Sequence, residues 1–169
     1  HFDGCGGFEL TDTERVTVAA HVSRPILRRR ADYYPGLVSV LVYEDTFETP
    51  VVEAGEDGVV TEYIDEKEGE SWAEGVVVLS WREIEDDREL ADGCNVIVHE
   101  FVHQLDLEAN GRLALSGSDQ QEWARVFGRE FKRLRRDVRR GRATVLDEYG
   151  ASAPAEFLAV AGEAFFERP

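Results

Sequence analysis

The sequence predicts an α+β fold in which one small mixed sheet packs against several helices. Two patterns support this prediction. Short apolar runs rich in β-branched residues occur in the first half of the chain, and helical periodicity follows from Gly93 onward. The length of 169 residues is enough for a sizeable core in one domain. We therefore expect a single domain over residues 1–169, without an internal repeat or linker.

The first half of the chain changes from a helical pattern to a strand pattern. The capping box Thr11-Asp-Thr-Glu14 opens a predicted helix that runs from about Asp12 to Arg30. Tyr34-Pro35 then ends it, because a proline disfavours helical geometry in the residue before it. Later runs are short and apolar, as expected of buried strands. The predicted strands are Leu37–Tyr43 and Val76–Trp81, with a third candidate at Val59–Ile64.

The second half of the chain predicts three helices. The first carries apolar residues from Val96 to Leu105 at helical spacing, and Asn110-Gly111 ends it. The second begins at the capping box of Ser118 and Gln121 and runs to about Arg140. The third begins near Pro154, because proline suits the first turn of a helix.

The composition argues against several classes of partner. A formal net charge of −16 disfavours nucleic acids and anionic membranes, because phosphate binding requires a basic surface. We see neither an apolar run long enough to span a bilayer nor a signal peptide. Cys5 and Cys94 are too few for a disulfide framework and predict reduced thiols. We therefore expect a cytoplasmic protein.

The segment His99-Glu100-Phe101-Val102-His103 carries the predicted chemistry. Residues four apart lie on one face of a helix, so both imidazoles can bind one ion. Zinc binds imidazole nitrogen, and in catalytic sites it keeps one position for water. Glu100 is rotated about 100° around the helix from His99, where it can accept a proton from that water. The motif predicts one Zn²⁺ per chain and metal-assisted hydrolysis.

A zinc site needs a third protein ligand, and no histidine follows His103. The last helix offers Glu156 and Glu163, which are seven residues apart and share a face, so either can complete the site. Asp106 shares the face of the histidines and can orient an imidazole, or it is an ordinary carboxylate at a helix end. Tyr149 can donate to an oxyanion, or it is a packed aromatic residue.

Several segments together resemble the M90 family of zinc metallopeptidases. In chain order, these segments are Gly4–Thr11, Gly75–Trp81, Asn95–Asp106, Leu146–Gly150 and Ala155–Pro169. The resemblance implies a zincin-like fold of gluzincin type, with Glu156 as the third ligand and Tyr149 in the active site. Glu163 then becomes a candidate for supporting the ligands from behind. Family members usually carry a further amino-terminal segment and a carboxyl-terminal extension, and we expect both to be missing from this chain.

These features predict a zinc peptidase that acts on peptide or aminoacyl amide bonds. The strand Val76–Trp81 is a candidate for holding extended substrate by backbone pairing, and the alternative is a plain core strand. The rival function is a zincin scaffold that binds a regulatory protein, with little or no catalysis. Its candidate docking face is a basic stripe, and the alternative is that this stripe is an ordinary solvated helix face. The stripe comprises Lys132, Arg133, Arg135, Arg136, Arg139 and Arg140.

Overall fold

The secondary structure of the described residues combines six strands and five α-helices. A computed structural model describes residues 1–27, 34–54, 60–90, 93–110 and 118–168. The strands are β1 Phe2–Gly4, β2 Ser39–Tyr43, β3 Phe47–Ala54, β4 Val60–Lys67, β5 Gly69–Trp72 and β6 Val76–Ser80. The helices are α1 Asp12–Ser23, α2 Trp81–Leu90, α3 Val96–Glu108, α4 Ser118–Val138 and α5 Pro154–Glu167. The predicted α+β class is confirmed.

Four strands form one mixed sheet in the order β1-β2-β6-β5. Strands β1, β2 and β6 are parallel, whereas β5 runs antiparallel to β6 at the edge. Strands β3 and β4 form a separate antiparallel ribbon. Because β6 is paired on both sides, the prediction that Val76–Trp81 binds substrate is wrong. It is a core strand, with Val77 and Leu79 fully buried, and the edge nearest it in the described sheet belongs to β5.

Helix α3 lies between the sheet and α5 because two of its faces are apolar. Ile97 and Phe101 belong to the core cluster that includes the strand residues of β2 and β6. On another face, Val98 and Val102 pack against Ala159 of α5. A helix that is apolar on more than one side must be buried between other elements. This packing fixes the orientation of the remaining face, which carries the two histidines.

Several element boundaries differ from the predictions. Helix α1 ends at Ser23 because Pro25 has no N–H to donate to the carbonyl of His21. A 3₁₀ turn follows at Arg24–Ile26, and residues 28–30 of the predicted helix lie outside the described residues. Trp81 starts α2 instead of ending a strand. The third candidate strand is confirmed as β4, although its first predicted residue is not described.

The sequence patterns did not predict four of these elements, namely β1, β3, β5 and α2. Strand β1 has three residues and β5 has four, with the sequence GESW, so neither shows an apolar run. Helix α2 is mostly charged and shows no apolar run. Separately, no helix of the described residues combines the length and apolar character that a membrane span requires. These elements form because neighbouring strands and helices offer them partners, which a local pattern does not reveal.

Candidate metal centre

The start of α3 is fixed by its cap. Asn95 precedes the helix in an extended conformation, and its side-chain oxygen accepts the N–H of Val98 at 3.0 Å. Such a cap satisfies one of the N–H groups that the first turn leaves without a partner. It therefore determines where the helix begins, and with it the positions of His99 and His103 one turn apart.

The third candidate ligand, a carboxylate, comes from the first turn of α5. Pro154 is the first residue of that helix, and Glu156 lies two residues further on. A carboxylate at a helix amino terminus is stabilised by the helix dipole and suits this position. Because α5 packs against α3, the side chain of Glu156 reaches both imidazoles.

Three side-chain atoms form a small triangle. The Nε2 atoms of His99 and His103 lie 3.1 Å apart. The Oε2 atom of Glu156 lies 3.1 Å from His99 Nε2 and 3.3 Å from His103 Nε2. Ligand atoms of a tetrahedral zinc ion, each about 2.0–2.1 Å from the metal, are themselves about 3.3 Å apart. The three atoms therefore fit one face of a tetrahedral metal site.

The same three residues also form a compact group of possible metal ligands within the part of the chain that the structure describes. His99, His103 and Glu156 are the group of three His, Cys, Asp or Glu residues whose ligand atoms all lie within 4.8 Å of one another. Two imidazoles and one carboxylate also match the ligand set of catalytic zinc sites. Both the distances and the chemistry of the donors are compatible with a metal ion.

Glu163 supports His99 from behind. Its Oε1 atom lies 2.6 Å from Nδ1 of His99, and its Oε2 atom accepts the backbone N–H of Asn95 at 2.7 Å. A carboxylate at Nδ1 favours a proton there, which leaves the Nε2 lone pair for a metal. Of the two glutamates that shared a face in the sequence, Glu156 faces both imidazoles and Glu163 contacts the far side of one.

A network of polar side chains extends beyond Glu163. The Nδ2 atom of Asn95 lies 2.7 Å from Oε1 of Glu167 and 2.7 Å from Nδ1 of His21. Glu167 in turn forms an ion pair with Arg24. The network joins α1, the start of α3 and the end of α5. Sequence reasoning missed Asn95, although an asparagine directly before an apolar helix is a recognised cap signal.

The ionisation of the metal-free ligands reflects their mutual contacts. Burial disfavours the charged form of His99, but hydrogen bonds to Glu156 and Glu163 outweigh it and raise the pKa of His99 to about 10. Hydrogen bonds from His103 and His99 lower the pKa of Glu156 to about 2. The Glu156 carboxylate and the protonated His99 imidazole thus stabilise each other's charged form. A metal that binds His99 would have to displace the proton on its nitrogen.

Glu100 is nearly inaccessible to solvent. The residue is 6% exposed, and burial raises its pKa to about 7, with the neighbouring His99 and His103 acting in the opposite direction. A carboxyl group with a pKa near neutrality can both accept and release a proton at neutral pH. Burial is the main cause of the perturbed ionisation of Glu100.

A cleft of about 980 Å³ opens beside these residues. Its walls come from the end of β4, the start of β5, α3, residues 142–149 and α5. Its lining includes His99, Glu100, Tyr149 and Glu163. This volume is in the range of pockets that bind small organic ligands or short peptide segments.

Tyr149 and Asp106 occupy different surroundings. Tyr149 is 57% exposed in the 3₁₀ turn Glu148–Ala151, and its ring centroid lies 6.1 Å from that of His99. Partial burial of the side chain and the charge of Glu156 raise the pKa of Tyr149. Asp106 is partly buried, and burial raises its pKa. Among the described residues, no hydrogen bond joins Asp106 to an imidazole. Glu163 instead contacts Nδ1 of His99.

An α+β domain with two histidines of an H-E-x-x-H helix and a glutamate around one point defines a candidate metallopeptidase. The whole chain, residues 1–169, matches the family model described as glucose-regulated metallo-peptidase M90. The chain belongs to the M90 family, as its sequence predicted.

Related proteins extend over almost all of the chain. The uncharacterized protein slr2042 of Synechocystis sp. is 39% identical over 176 residues, which cover 99% of this chain. Proteins named Mlc titration factor A from Escherichia coli and Shigella flexneri are 30% identical over 169 residues, or 96% of this chain. In each comparison the match spans 63% of the relative's length. This chain therefore corresponds to somewhat less than two thirds of these curated relatives.

Proposed function

We propose that this protein is a zinc-dependent peptidase that hydrolyses peptide or aminoacyl amide bonds, with residues 1–169 forming one zincin-like catalytic domain of gluzincin type. The observation that carries the proposal is the triangle of His99, His103 and Glu156, with edges of 3.1 to 3.3 Å beside a large cleft. Membership of a metallopeptidase family supports the same class of reaction.

His99, His103 and Glu156 would hold the zinc ion, with Glu163 fixing the orientation of one imidazole. Zinc, when bound, polarises the scissile carbonyl and lowers the pKa of a water molecule at the open position. Zinc is favoured over harder cations because two of the three donors are imidazole nitrogens.

The remaining steps belong to the protein's own side chains. Glu100 takes a proton from the attacking water and passes it to the nitrogen of the leaving amine. The Tyr149 hydroxyl donates a hydrogen bond to the carbonyl oxygen as negative charge develops there. Its raised pKa favours this role, because a protonated phenol is required as the donor. The outer edge of β5 is our candidate for pairing with an extended substrate backbone.

A substrate panel tests the proposal. Peptides and aminoacyl anilides would be incubated with the zinc-loaded protein, with the chelated protein and with the zinc-loaded Glu100→Gln variant. We expect zinc-dependent turnover that the variant reduces by about 100-fold or more, within the range of general base catalysis. Zinc content near one per chain in the variant serves as the control. Turnover that is absent with zinc, or equal in the variant, would contradict the proposal.

A second candidate function is the binding of a regulatory protein with little or no catalysis. The name Mlc titration factor A, carried by relatives of 30% identity, favours it. The basic stripe at the end of α4 supports it less, because Glu130 and Asp137 lie within ion-pair distance of Arg133, and Asp137 also of Arg136, which balances part of its charge. A chelator-insensitive complex with a partner protein, together with no turnover on the panel, would favour this function over peptidase activity.

A further inference from the structure

Gly69 makes an unusually close approach to Glu100. Gly69 is the first residue of the edge strand β5 and pairs with Leu79 of β6. A Cβ atom on Gly69 would lie 2.8 Å from both Cγ and Oε1 of Glu100, and 2.9 Å from Cγ2 of Val96. Carbon atoms in contact are normally about 3.5–4.0 Å apart. The side chain of Glu100 therefore occupies the space in which any other residue would place its Cβ.

This contact, rather than backbone conformation, requires a glycine at position 69. Gly69 is not among the residues with positive φ, so its extended backbone is accessible to alanine. By contrast, Gly75 has a φ of +81°, and a Cβ there would meet the backbone oxygen of Gly36. At Gly69 the nearest atoms all belong to side chains, which can move without rearranging the strand.

The position of the Glu100 carboxylate depends largely on packing. The Glu100 side chain is largely buried at the wall of the cleft, and the hydrogen bonds of the described residues include none to its carboxylate. A flexible side chain without hydrogen bonds takes the position that its neighbours leave open. The open space beside Gly69 is therefore a main determinant of where the carboxylate lies.

We propose that Gly69 is a positioning residue: its bare Cα lets the Glu100 carboxylate lie between the edge strand and the histidine face of α3. The inference rests on the proposed function, in which Glu100 is the base. A methyl group at position 69 would push the carboxylate away by about 0.7 Å or more, the difference between 2.8 Å and a normal carbon contact. Misplacement of about 1 Å can cost an enzyme roughly 100-fold in rate.

The test compares Gly69→Ala with the matched control Gly128→Ala, since a Cβ at Gly128 of α4 would meet nothing within 4 Å. We expect kcat to fall about ten- to hundredfold in Gly69→Ala. Zinc affinity and KM should stay near their parent values, because none of the atoms that the methyl group would meet belongs to any of the three candidate metal ligands; the thermal unfolding midpoint is recorded as well, since the methyl group also meets Val96. Gly128→Ala should leave kcat, KM and zinc affinity unchanged, and it should raise the thermal unfolding midpoint by about 2–4 °C because alanine is the better helix former. An unaltered kcat in Gly69→Ala would overturn the proposal.

A double-mutant cycle separates positioning from a general structural effect. Aspartate is one methylene shorter than glutamate, so Glu100→Asp should cost less in the Gly69→Ala background than in the parent protein. Strictly additive effects of the two substitutions would show that Gly69 does not act through Glu100.

A structural readout covers the case in which the proposed function fails. If the zinc-loaded parent turns over no substrate, peptidase activity is refuted, and crystal structures of the parent and Gly69→Ala decide the role of Gly69. We expect the Glu100 carboxylate to be displaced by about 0.7 Å while the imidazoles stay in place. A stationary Glu100 with a shifted β5 would refute the positioning role.

Discussion

Replacing Glu163 with glutamine should weaken zinc binding without abolishing it. One oxygen of Glu163 lies 2.6 Å from Nδ1 of His99, and the other accepts the Asn95 N–H at 2.7 Å. Glutamine has nearly the same shape but offers one oxygen and one NH₂ group. Whichever way the amide turns, one of the two donors faces an NH₂ group instead of an acceptor.

The magnitude follows from burial and charge. The Glu163 side chain is 9% exposed, and leaving a buried donor without its acceptor costs about 1–3 kcal/mol. Loss of the negative charge also makes the His99 imidazole a weaker ligand in either amide orientation. We therefore expect zinc affinity to fall roughly 10- to 100-fold, with the larger loss if the amide turns its NH₂ group toward His99.

Competition with a chromophoric chelator near neutral pH measures this affinity directly. Glu167→Gln is the matched control, because Glu167 contacts the Asn95 side chain and Arg24 but no imidazole. Its zinc affinity should stay within about threefold of the parent, since an indirect contact contributes little. A parent-like affinity in Glu163→Gln would refute the argument that this carboxylate holds His99 in its binding orientation.

Three other experiments test the same centre. In His103→Ala, metal analysis should show the zinc content falling from about one per chain to near zero, because one imidazole and one carboxylate hold zinc weakly. Retained stoichiometric zinc would rule out His103 as a ligand. Tyr149→Phe should keep zinc but lower kcat about 100-fold if the phenol stabilises the oxyanion, and an unchanged kcat would assign it to packing. In the metal-free protein, the raised His99 pKa adds stability that is complete below pH 6.5 and is lost as the pH rises through about 10. Denaturant titrations should show this loss in the parent and not in His99→Ala, and parallel curves would contradict the assignment.

The contrast between strands shows which parts of the fold are locally encoded. β6 is apolar because both of its faces are covered, and β2 buries alternate residues and leaves the others partly exposed; both are apolar runs, so the sequence alone predicted them. β5 has the sequence GESW, and it is a strand only because β6 offers a partner. Between the two roles that the sequence left open for Val76–Trp81, pairing on both sides of β6 selects the core strand, and an apolar run does not reveal whether its strand is central or peripheral.

For the site, local periodicity determined a great deal. Helix geometry places His99 and His103 one turn apart, with Glu100 beside them. The same geometry places two glutamates on one face of the last helix. The residues alone left both Glu156 and Glu163 open as the third ligand, and resemblance to a family strengthened the preference for Glu156.

Only the tertiary structure decided how these residues meet. The packing of α5 against α3 brings Glu156 to the Nε2 side of both rings and Glu163 to the Nδ1 side of one. The approach of β5 to α3 brings Gly69 against Glu100. A sequence specifies local geometry through the short-range preferences of its backbone. Distances between segments that are about 30 to 65 residues apart depend instead on how their apolar faces pack, which no local pattern contains.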